Sequence, residues 1–217
     1  MRSIITKGKK MPRGKFITLE GGEGVGKTTN LTFIENYLKL HNISVVVTRE
    51  PGGTLLAEKL RQLLLDNDSE TITEEAELLM VFAARAQHLK LVIEPALSKG
   101  QWVLCDRFTD ATFAYQGGGR NMKISTIEWL ETLVQGNLRP DLTLLLDAPI
   151  EVGMERARSR NVLDRFESEK KSFFEQVRRA YLLQAELHPD RIKVIKTNQP
   201  LVDVENEIVN IIGTFIK

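Results

Sequence analysis

The sequence predicts a single α/β domain in which a doubly wound parallel sheet of five strands lies between helices. Short apolar runs alternate along the chain with longer stretches of helical apolar spacing. The runs are rich in valine, leucine and isoleucine, which is typical of strands buried on both faces of a parallel sheet. No repeat, low-complexity tract or Pro/Ser-rich linker divides the 217 residues. We therefore expect right-handed crossovers within one unit.

The elements follow from these patterns in chain order. The strands are predicted at 16–19, 43–47, 102–105, 142–146 and 192–195. The helices are predicted at 27–40, 55–65, 74–97, 125–133, 151–158, 167–187 and 202–215. Met11 lies just before the first strand, so we expect 1–13 to be a flexible extension and 14–217 to be the domain.

Charge and hydropathy exclude several classes of protein. Thirty basic side chains face twenty-nine acidic ones, giving a net charge of +1, so no overall field attracts the chain to nucleic acid or membrane. Apolar stretches fall short of the roughly 20 residues that span a bilayer, and the basic start lacks a secretory signal. We expect a soluble, cytoplasmic protein without a nucleic-acid or membrane partner.

A phosphate-binding loop follows the first predicted strand. Its G-x-x-x-x-G-K-T pattern and the next residue are Gly21, Gly22, Glu23, Gly24, Val25, Gly26, Lys27, Thr28 and Thr29. The glycines allow backbone N–H groups to surround phosphate oxygens at the start of a helix. We expect Lys27 to reach the β and γ phosphates of ATP and Thr28 to bind Mg²⁺.

Charged residues also follow three other strands. Asp106 and Arg107 come directly after the run at 102–105, where ligands bind in open α/β sheets. Asp106 suits a magnesium ion or the attacking phosphate, and Arg107 suits an acceptor phosphate. Asp147 ends another strand, so spacing does not decide which acid serves the metal, although the arginine neighbour favours Asp106. Arg49 ends the second strand and is a second candidate for the acceptor phosphate.

Two later segments complete the pattern of a kinase. The stretch 155–165 carries Arg156, Arg158, Arg160 and Arg165, which suit a short arginine-rich lid over the transferred phosphoryl group. A solvated helix face is the alternative. The segment 114–120 holds three glycines, which permit close backbone approach and unusual torsions, beside Tyr115 and Gln116. These side chains suit a nucleobase and a sugar.

Five ordered motifs together resemble bacterial thymidylate kinase: GGEGVGKTT, TREPGGT, LMVFAARAQH, DRFTDATFAYQGGGR and RARSRNVLDRFE. The resemblance runs from about Gly14 to the C-terminus. It implies that Arg49 and Arg107 bind the phosphate of thymidine monophosphate (dTMP) and that Glu23 approaches its deoxyribose. It further implies thymine contacts from Arg85 and Thr112, and a sugar and base pocket lined by Tyr115 and Gln116.

The resemblance also bears on the lid and the base-stacking residue. The phosphate loop here has no basic residue between Gly22 and Val25, so catalytic arginines are expected from the lid, first Arg158 and Arg160. The family's usual stacking aromatic is replaced by Val81, which leaves Phe82 as the candidate. The alternative makes Phe82 a core residue of an amphipathic helix. The resemblance also implies a homodimer.

The function implied is transfer of the γ-phosphoryl group from ATP to dTMP, giving ADP and thymidine diphosphate (dTDP) for dTTP and DNA precursor synthesis. We expect direct in-line transfer with Mg²⁺ as cofactor. One alternative is a kinase for another deoxynucleotide or nucleoside. The other is a P-loop switch or partition ATPase, for which N/T-K-x-D or D-x-x-G motifs are expected and not found.

Overall fold

The structure is a computed structural model that describes residues 12–67, 70–158 and 165–216, without the side chains of 157 and 158. Within these residues five parallel strands form one sheet in the order β2-β3-β1-β4-β5. They are β1 Phe16–Glu20, β2 Val45–Arg49, β3 Trp102–Asp106, β4 Leu142–Asp147 and β5 Ile192–Lys196. The predicted α/β fold is confirmed. Residues 1–11 of the predicted extension lie outside the described residues.

Helices flank the sheet on both faces. They are α1 Lys27–Leu40, α2 Leu55–Leu65, α3 Glu74–His88, α4 Glu94–Ser98, α5 Thr109–Thr112, α6 Ile124–Gln135, α7 Ile150–Arg158, α8 Lys171–Leu187 and α9 Leu201–Ile216. Two π-helical segments, Leu89–Ile93 and Phe113–Gly119, extend α3 and α5. The predicted helix 74–97 is therefore three consecutive segments, and the helical stretch after β3 was not predicted from the sequence.

The central strand β1 shows how the sheet is buried. All five of its residues are buried, and alternate side chains enter different hydrophobic clusters, as the two-residue period of a strand requires. Ile17 packs in the cluster that contains Ile34 of α1 and Ile208 of α9. Phe16 packs in the cluster that contains Leu89 and Ile93. Strand β1 is thus covered on both faces, as its continuous apolar run predicts.

The strand order places a topological switch point beside β1. The chain leaves β1 for β2 on one side and leaves the adjacent β3 for β4 on the other side. Ligands of open α/β sheets bind in the crevice that such a reversal creates at the carboxyl ends of the strands. The phosphate loop follows β1 and Arg107 follows β3, so both meet at this crevice.

The glycines at 117–119 serve helix packing. Their segment is π-helical, and none of them has a positive φ, so the expected unusual torsions are not what these glycines provide. A Cβ atom on Gly118 would lie 2.6 Å from the Cβ of Ala180, and one on Gly119 would collide with the ring of Phe173. Their small size therefore lets α8 approach the site.

Among the described residues, no helix is long and apolar enough to cross a membrane.

Candidate active site

A cavity of about 260 Å³ lies at the carboxyl edge of the sheet, beside the ends of β1 and β3. Most of the residues predicted to form the site line it. They are Glu23, Gly24, Gly26, Lys27, Thr28, Arg85, Asp106, Arg107, Thr112, Tyr115 and Gln116. Gly21, Gly22 and Val25 line an adjoining depression with Glu23, and Thr29 is exposed in the first turn of α1.

The phosphate loop is shaped by glycine and closed by its lysine. Gly24 and Gly26 have φ values of +67° and +90°, in the region that favours glycine. The ammonium group of Lys27 donates to the carbonyl oxygens of Gly21 at 3.2 Å and Gly22 at 2.6 Å. Burial lowers the pKa of Lys27 to about 8, and the cationic Arg107 lowers it further against the raising effect of nearby carboxylates. Lys27 thus lies inside the loop, and its ammonium group loses its proton more readily than that of an ordinary lysine.

The helix that leads towards the predicted lid packs directly on this loop. Gly24 lies so close to Gly153 of α7 that a Cβ atom on it would collide with the carbonyl group of Gly153. A Cβ atom on Gly153 would in turn lie 2.5 Å from the carbonyl oxygen of Glu23. This close approach is possible because both residues are glycines. It packs α7, the helix that leads towards the predicted lid, against the phosphate loop.

Arg107 connects the loop to the other wall of the cavity. Its guanidinium donates to the carbonyl oxygen of Gly21 at 2.8 Å and to the carboxylate of Glu23 at 2.6 Å. It also lies over the ring of Tyr115, 4.8 Å from the centroid, and the hydroxyl of Tyr115 donates to Glu23 at 2.8 Å. Burial lowers the pKa of Arg107, but its electrostatic interactions, with Tyr115 first and Glu23 next, raise the pKa above the ordinary value of an arginine. These contacts hold a cation at the mouth of the phosphate loop.

Two aspartates at strand ends differ in what they contact. The Asp147 carboxylate accepts two hydrogen bonds from Arg178, at 2.7 and 2.9 Å, and is already neutralised. Asp106 lines the cavity, and its buried Oδ1 has no hydrogen-bond partner within the described chain. A buried acceptor without a partner is costly unless a ligand completes it. Spacing alone did not separate the two acids, although the arginine neighbour favoured Asp106, and in the structure Asp106 is the one available to a ligand.

Arg85 lines the cavity and belongs to a network of buried polar groups. Its side chain is 1% exposed and donates to Glu50 at 2.7 Å and to the hydroxyl of Thr112 at 3.0 Å. His88 contacts the other oxygen of Glu50 at 3.0 Å and is hydrogen-bonded to Thr48 at 2.7 Å. The Nη1 atom of Arg85 is buried and has no partner in the described part of the chain. The network thus leaves one buried nitrogen without a partner in a residue that lines the cavity.

A family model named thymidylate kinase matches residues 19–208, which is most of the chain. The chain belongs to the thymidylate kinase family. It is 57% identical to the thymidylate kinase of Teredinibacter turnerae over 203 residues, covering 94% of this chain and 99% of that protein. It is also 57% identical to that of Ectopseudomonas mendocina over 195 residues, covering 90% and 93%.

The fold of this thymidylate kinase family member also resembles a solved structure of the family. The crystal structure of thymidylate kinase from Ehrlichia chaffeensis superposes with a TM-score of 0.76 at 34% sequence identity. The match covers 93% of this chain and 99% of that one. The resemblance found in the sequence motifs is therefore confirmed by profile, by curated relatives and by structure.

In this thymidylate kinase family member, Phe82, the residue expected to stack on the base, does not line the cavity. Phe82 is 2% exposed and packs with Leu78, Phe113 and Ile127, away from the cavity lining. Its ring lies 4.8 Å from the guanidinium carbon of Arg85. Val81 lines the cavity instead. Helix α3 is buried on more than one side, so apolar spacing did not show which residue meets the ligand.

Arg49, which was expected to bind the acceptor phosphate, also does not line the cavity. Its side chain is 53% exposed and forms an ion pair with Glu58 at 2.8 Å, outside the cavity. Arg61 of α2 lines the cavity and donates to the carbonyl oxygen of Pro51 at 3.1 Å. Burial lowers the pKa of Arg61, with further lowering by Arg49 and Arg107. Sequence reasoning missed Arg61, because nothing in the apolar pattern of α2 distinguishes it from a surface arginine.

The structure describes only part of the predicted lid of this family member and its arginines. The side chain of Arg158 and the whole of Arg160 lie outside the described residues. Arg165 donates to Glu77 at 2.6 Å and to the carbonyl oxygen of Leu64 at 2.8 Å. The same Glu77 carboxylate accepts from Gln116 at 2.8 Å. Arg165 therefore joins the end of the lid segment to the pocket.

Proposed function

We propose that this chain transfers the γ-phosphoryl group of ATP to dTMP, giving ADP and dTDP, with Mg²⁺ as cofactor. The observation that carries the proposal is one cavity lined by two unlike cationic side chains. Lys27 of the phosphate loop and Arg85, whose buried Nη1 atom has no partner in the described part of the chain, both line it. Such a cavity suits a nucleotide whose phosphate faces the phosphate loop and whose base contacts Arg85.

At the donor end, the loop amides, Lys27 and the N-terminus of α1 suit the phosphates of ATP. The hydroxyl of Thr28 and the unpartnered Oδ1 of Asp106 are hard oxygen donors on the same cavity, which fits Mg²⁺. When bound, Mg²⁺ would neutralise charge on the phosphates of ATP. Few protein ligands are needed, because this ion keeps water and phosphate oxygens around it.

The acceptor phosphate is assigned to Arg107 and Arg61. Both line the cavity that the phosphate loop and Arg85 also line. Two guanidinium groups suit a phosphate that is already attached to the acceptor. Arg107 is held by Glu23 at 2.6 Å, so we propose that the phosphate of dTMP replaces part of that contact and releases Glu23 towards the deoxyribose beside Tyr115.

Base selection is assigned to Arg85. An arginine can only donate, and thymine offers its O4 acceptor where cytosine carries an amino group. Cytosine would set donor against donor in a buried pocket, which is costly. Thr112 and Gln116 complete the polar side of the pocket, and Val81 supplies apolar surface.

Catalysis in this scheme is direct in-line transfer, since both reacting groups are phosphates that need positioning and charge stabilisation. Lys27 and Arg107 hold the two phosphates in one cavity. We propose Arg158 and Arg160 as the arginines that stabilise the transferred group, from the family resemblance. A homodimer in the cytoplasm is proposed on the same basis.

The test is ATP consumption in the presence of Mg²⁺, with dTMP, dUMP, dCMP, AMP, GMP and thymidine compared as acceptors. We expect dTMP to be preferred and dCMP to be rejected. Arg107→Ala should raise the KM for dTMP at least about 50-fold, as expected for loss of a charged phosphate contact, and leave the Kd of ATP within twofold. Arg179→Ala, which changes an exposed arginine on α8, is the matched control and should alter neither constant.

Each contrary outcome has a distinct meaning. Preference for thymidine over dTMP would indicate a nucleoside kinase and would remove the role of the phosphate-binding arginines. Preference for another monophosphate would contradict the assignment of Arg85. ATP hydrolysis that no acceptor stimulates would leave a P-loop switch or ATPase.

A further inference from the structure

Arg107 has a backbone conformation that residues with a side chain rarely adopt. Its φ is +66°, in the left-handed region, which is unfavourable for a non-glycine residue. Such a conformation persists only where the surrounding structure imposes it, and it is common at functional sites. The contacts that impose it therefore bear on how Arg107 meets its ligand.

The end of β1 holds the backbone on both sides of this residue. The amide of Arg107 donates to the carbonyl oxygen of Leu19 at 3.0 Å. The next amide, that of Phe108, donates to the Oε1 atom of Glu20 at 2.6 Å. The Glu20 side chain is fully buried. A carboxyl oxygen thus fixes the turn immediately after Arg107.

The other oxygen of the same carboxyl group reaches the far end of Arg107. The hydroxyl of Tyr181 in α8 donates to the Oε2 atom of Glu20 at 2.8 Å. That hydroxyl accepts a hydrogen bond from the guanidinium of Arg107 at 3.1 Å. Tyr181 is 2% exposed, so solvent does not compete for the contact. One buried carboxyl group therefore holds the turn after Arg107 directly and its guanidinium through Tyr181.

We infer that Glu20 and Tyr181 are positioning residues, which hold Arg107 in the orientation that binds the phosphate of the acceptor nucleotide. This inference rests on the proposed role of Arg107. Gly21 and Glu23 also hold the guanidinium, so loss of the Tyr181 contact should displace Arg107 partly. The effect should then fall on the acceptor and spare ATP.

The chemical state of Glu20 indicates which variant resembles it most. Burial raises the pKa of Glu20 to about 8, with Asp110 raising it further against the lowering effects of Arg107, Tyr181 and the Phe108 amide. The carboxyl group is then mostly neutral at pH 7. A glutamine keeps its shape and one acceptor oxygen, whereas a leucine of similar size removes both oxygens.

The experiment measures kcat and the KM values for dTMP and ATP in Tyr181→Phe, Glu20→Gln and Glu20→Leu. Tyr181→Phe should raise the KM for dTMP about fivefold to tenfold, as expected when one hydrogen bond is lost and the remaining contacts still hold Arg107, with the KM for ATP within twofold. Glu20→Leu should raise the KM for dTMP at least as much, whereas Glu20→Gln should keep most of the wild-type affinity for dTMP. Tyr37→Phe, which removes a hydroxyl from α1 away from the cavity lining, is the matched control.

Arg107→Ala separates this inference from the function on which it rests. If Arg107→Ala leaves the KM for dTMP unchanged, the proposed role of Arg107 fails. If Arg107→Ala raises it and Tyr181→Phe does not, the positioning role is overturned. Equal rises in both KM values for Tyr181→Phe would also overturn it, because a general packing defect would then explain the change. Glu20→Leu, if it does not fold, leaves the decision to Tyr181→Phe.

Discussion

Binding of ATP is expected to draw a proton onto Lys27. In the ligand-free protein, burial and the nearby Arg107 lower the pKa of this lysine to about 8. The phosphates of ATP bring negative charge to the ammonium group, which favours its protonated form and raises its pKa. Binding at a pH near or above 8 must therefore take up a proton from solution.

The size of the effect follows from the pKa of the free protein. With a pKa of about 8, Lys27 is deprotonated in about 0.1 of the molecules at pH 7, about half at pH 8 and about 0.9 at pH 9. If ATP fully restores the charge, those fractions are the protons taken up per ATP bound. The phosphates themselves contribute little above pH 7.5, because their last pKa is about 6.

Titration calorimetry measures this uptake. The binding enthalpy of the magnesium complex of ATP, without acceptor, is compared in buffers of different ionisation enthalpy at pH 7, 8 and 9. The slope against ionisation enthalpy gives the number of protons. Lys27→Met should abolish the slope, and Glu20→Gln should keep it, since Glu20 is the other group with a pKa of about 8. A binding enthalpy that does not depend on buffer at pH 8 would refute the reasoning.

Three further predictions concern the metal, the base pocket and pH. Asp106→Asn should raise the Mg²⁺ concentration for half-maximal activity at least about tenfold, whereas Asp147→Asn should not, as magnesium titrations will show. Val81→Ala should raise the KM for dTMP about fivefold, whereas Phe82→Leu should lower the free energy of unfolding by about 1 kcal/mol and leave that KM unchanged. Because the native pKa of Glu20 lies above its ordinary value, the native state binds more protons than the unfolded state. Denaturant melts should show stability falling from about pH 5 to pH 9 relative to Glu20→Gln, and parallel curves would contradict this.

Short-range patterns were sufficient to predict the fold and the donor end of the site. The strand, glycine loop and helix at 16–40 are consecutive in the chain, so their contacts follow from local geometry. Asp106 and Arg107 follow a buried strand, and the carboxyl ends of parallel strands share one edge of the sheet. In the structure Asp106 and Arg107 line the same cavity as the phosphate loop.

The acceptor end depended on side-chain direction, which spacing does not encode. Both Val81 and Phe82 are buried on α3, yet one lines the cavity and the other packs in the core. Arg49 was favoured because it ends a strand, but its exposed side chain turns to Glu58. Arg61 reaches the cavity from the middle of an ordinary helix. These outcomes depend on how α2 and α3 pack against the sheet.

By itself, the sequence determined the α/β class, the phosphate loop, the order of the motifs and the likeness to thymidylate kinases. Only the tertiary structure decided that Asp106 and not Asp147 is open to a ligand, because Arg178 reaches across from α8 to neutralise Asp147. The link between Glu20 and Tyr181 joins residues 161 positions apart. Local patterns carry information about neighbours along the chain, whereas such contacts exist only after helices and strands have packed.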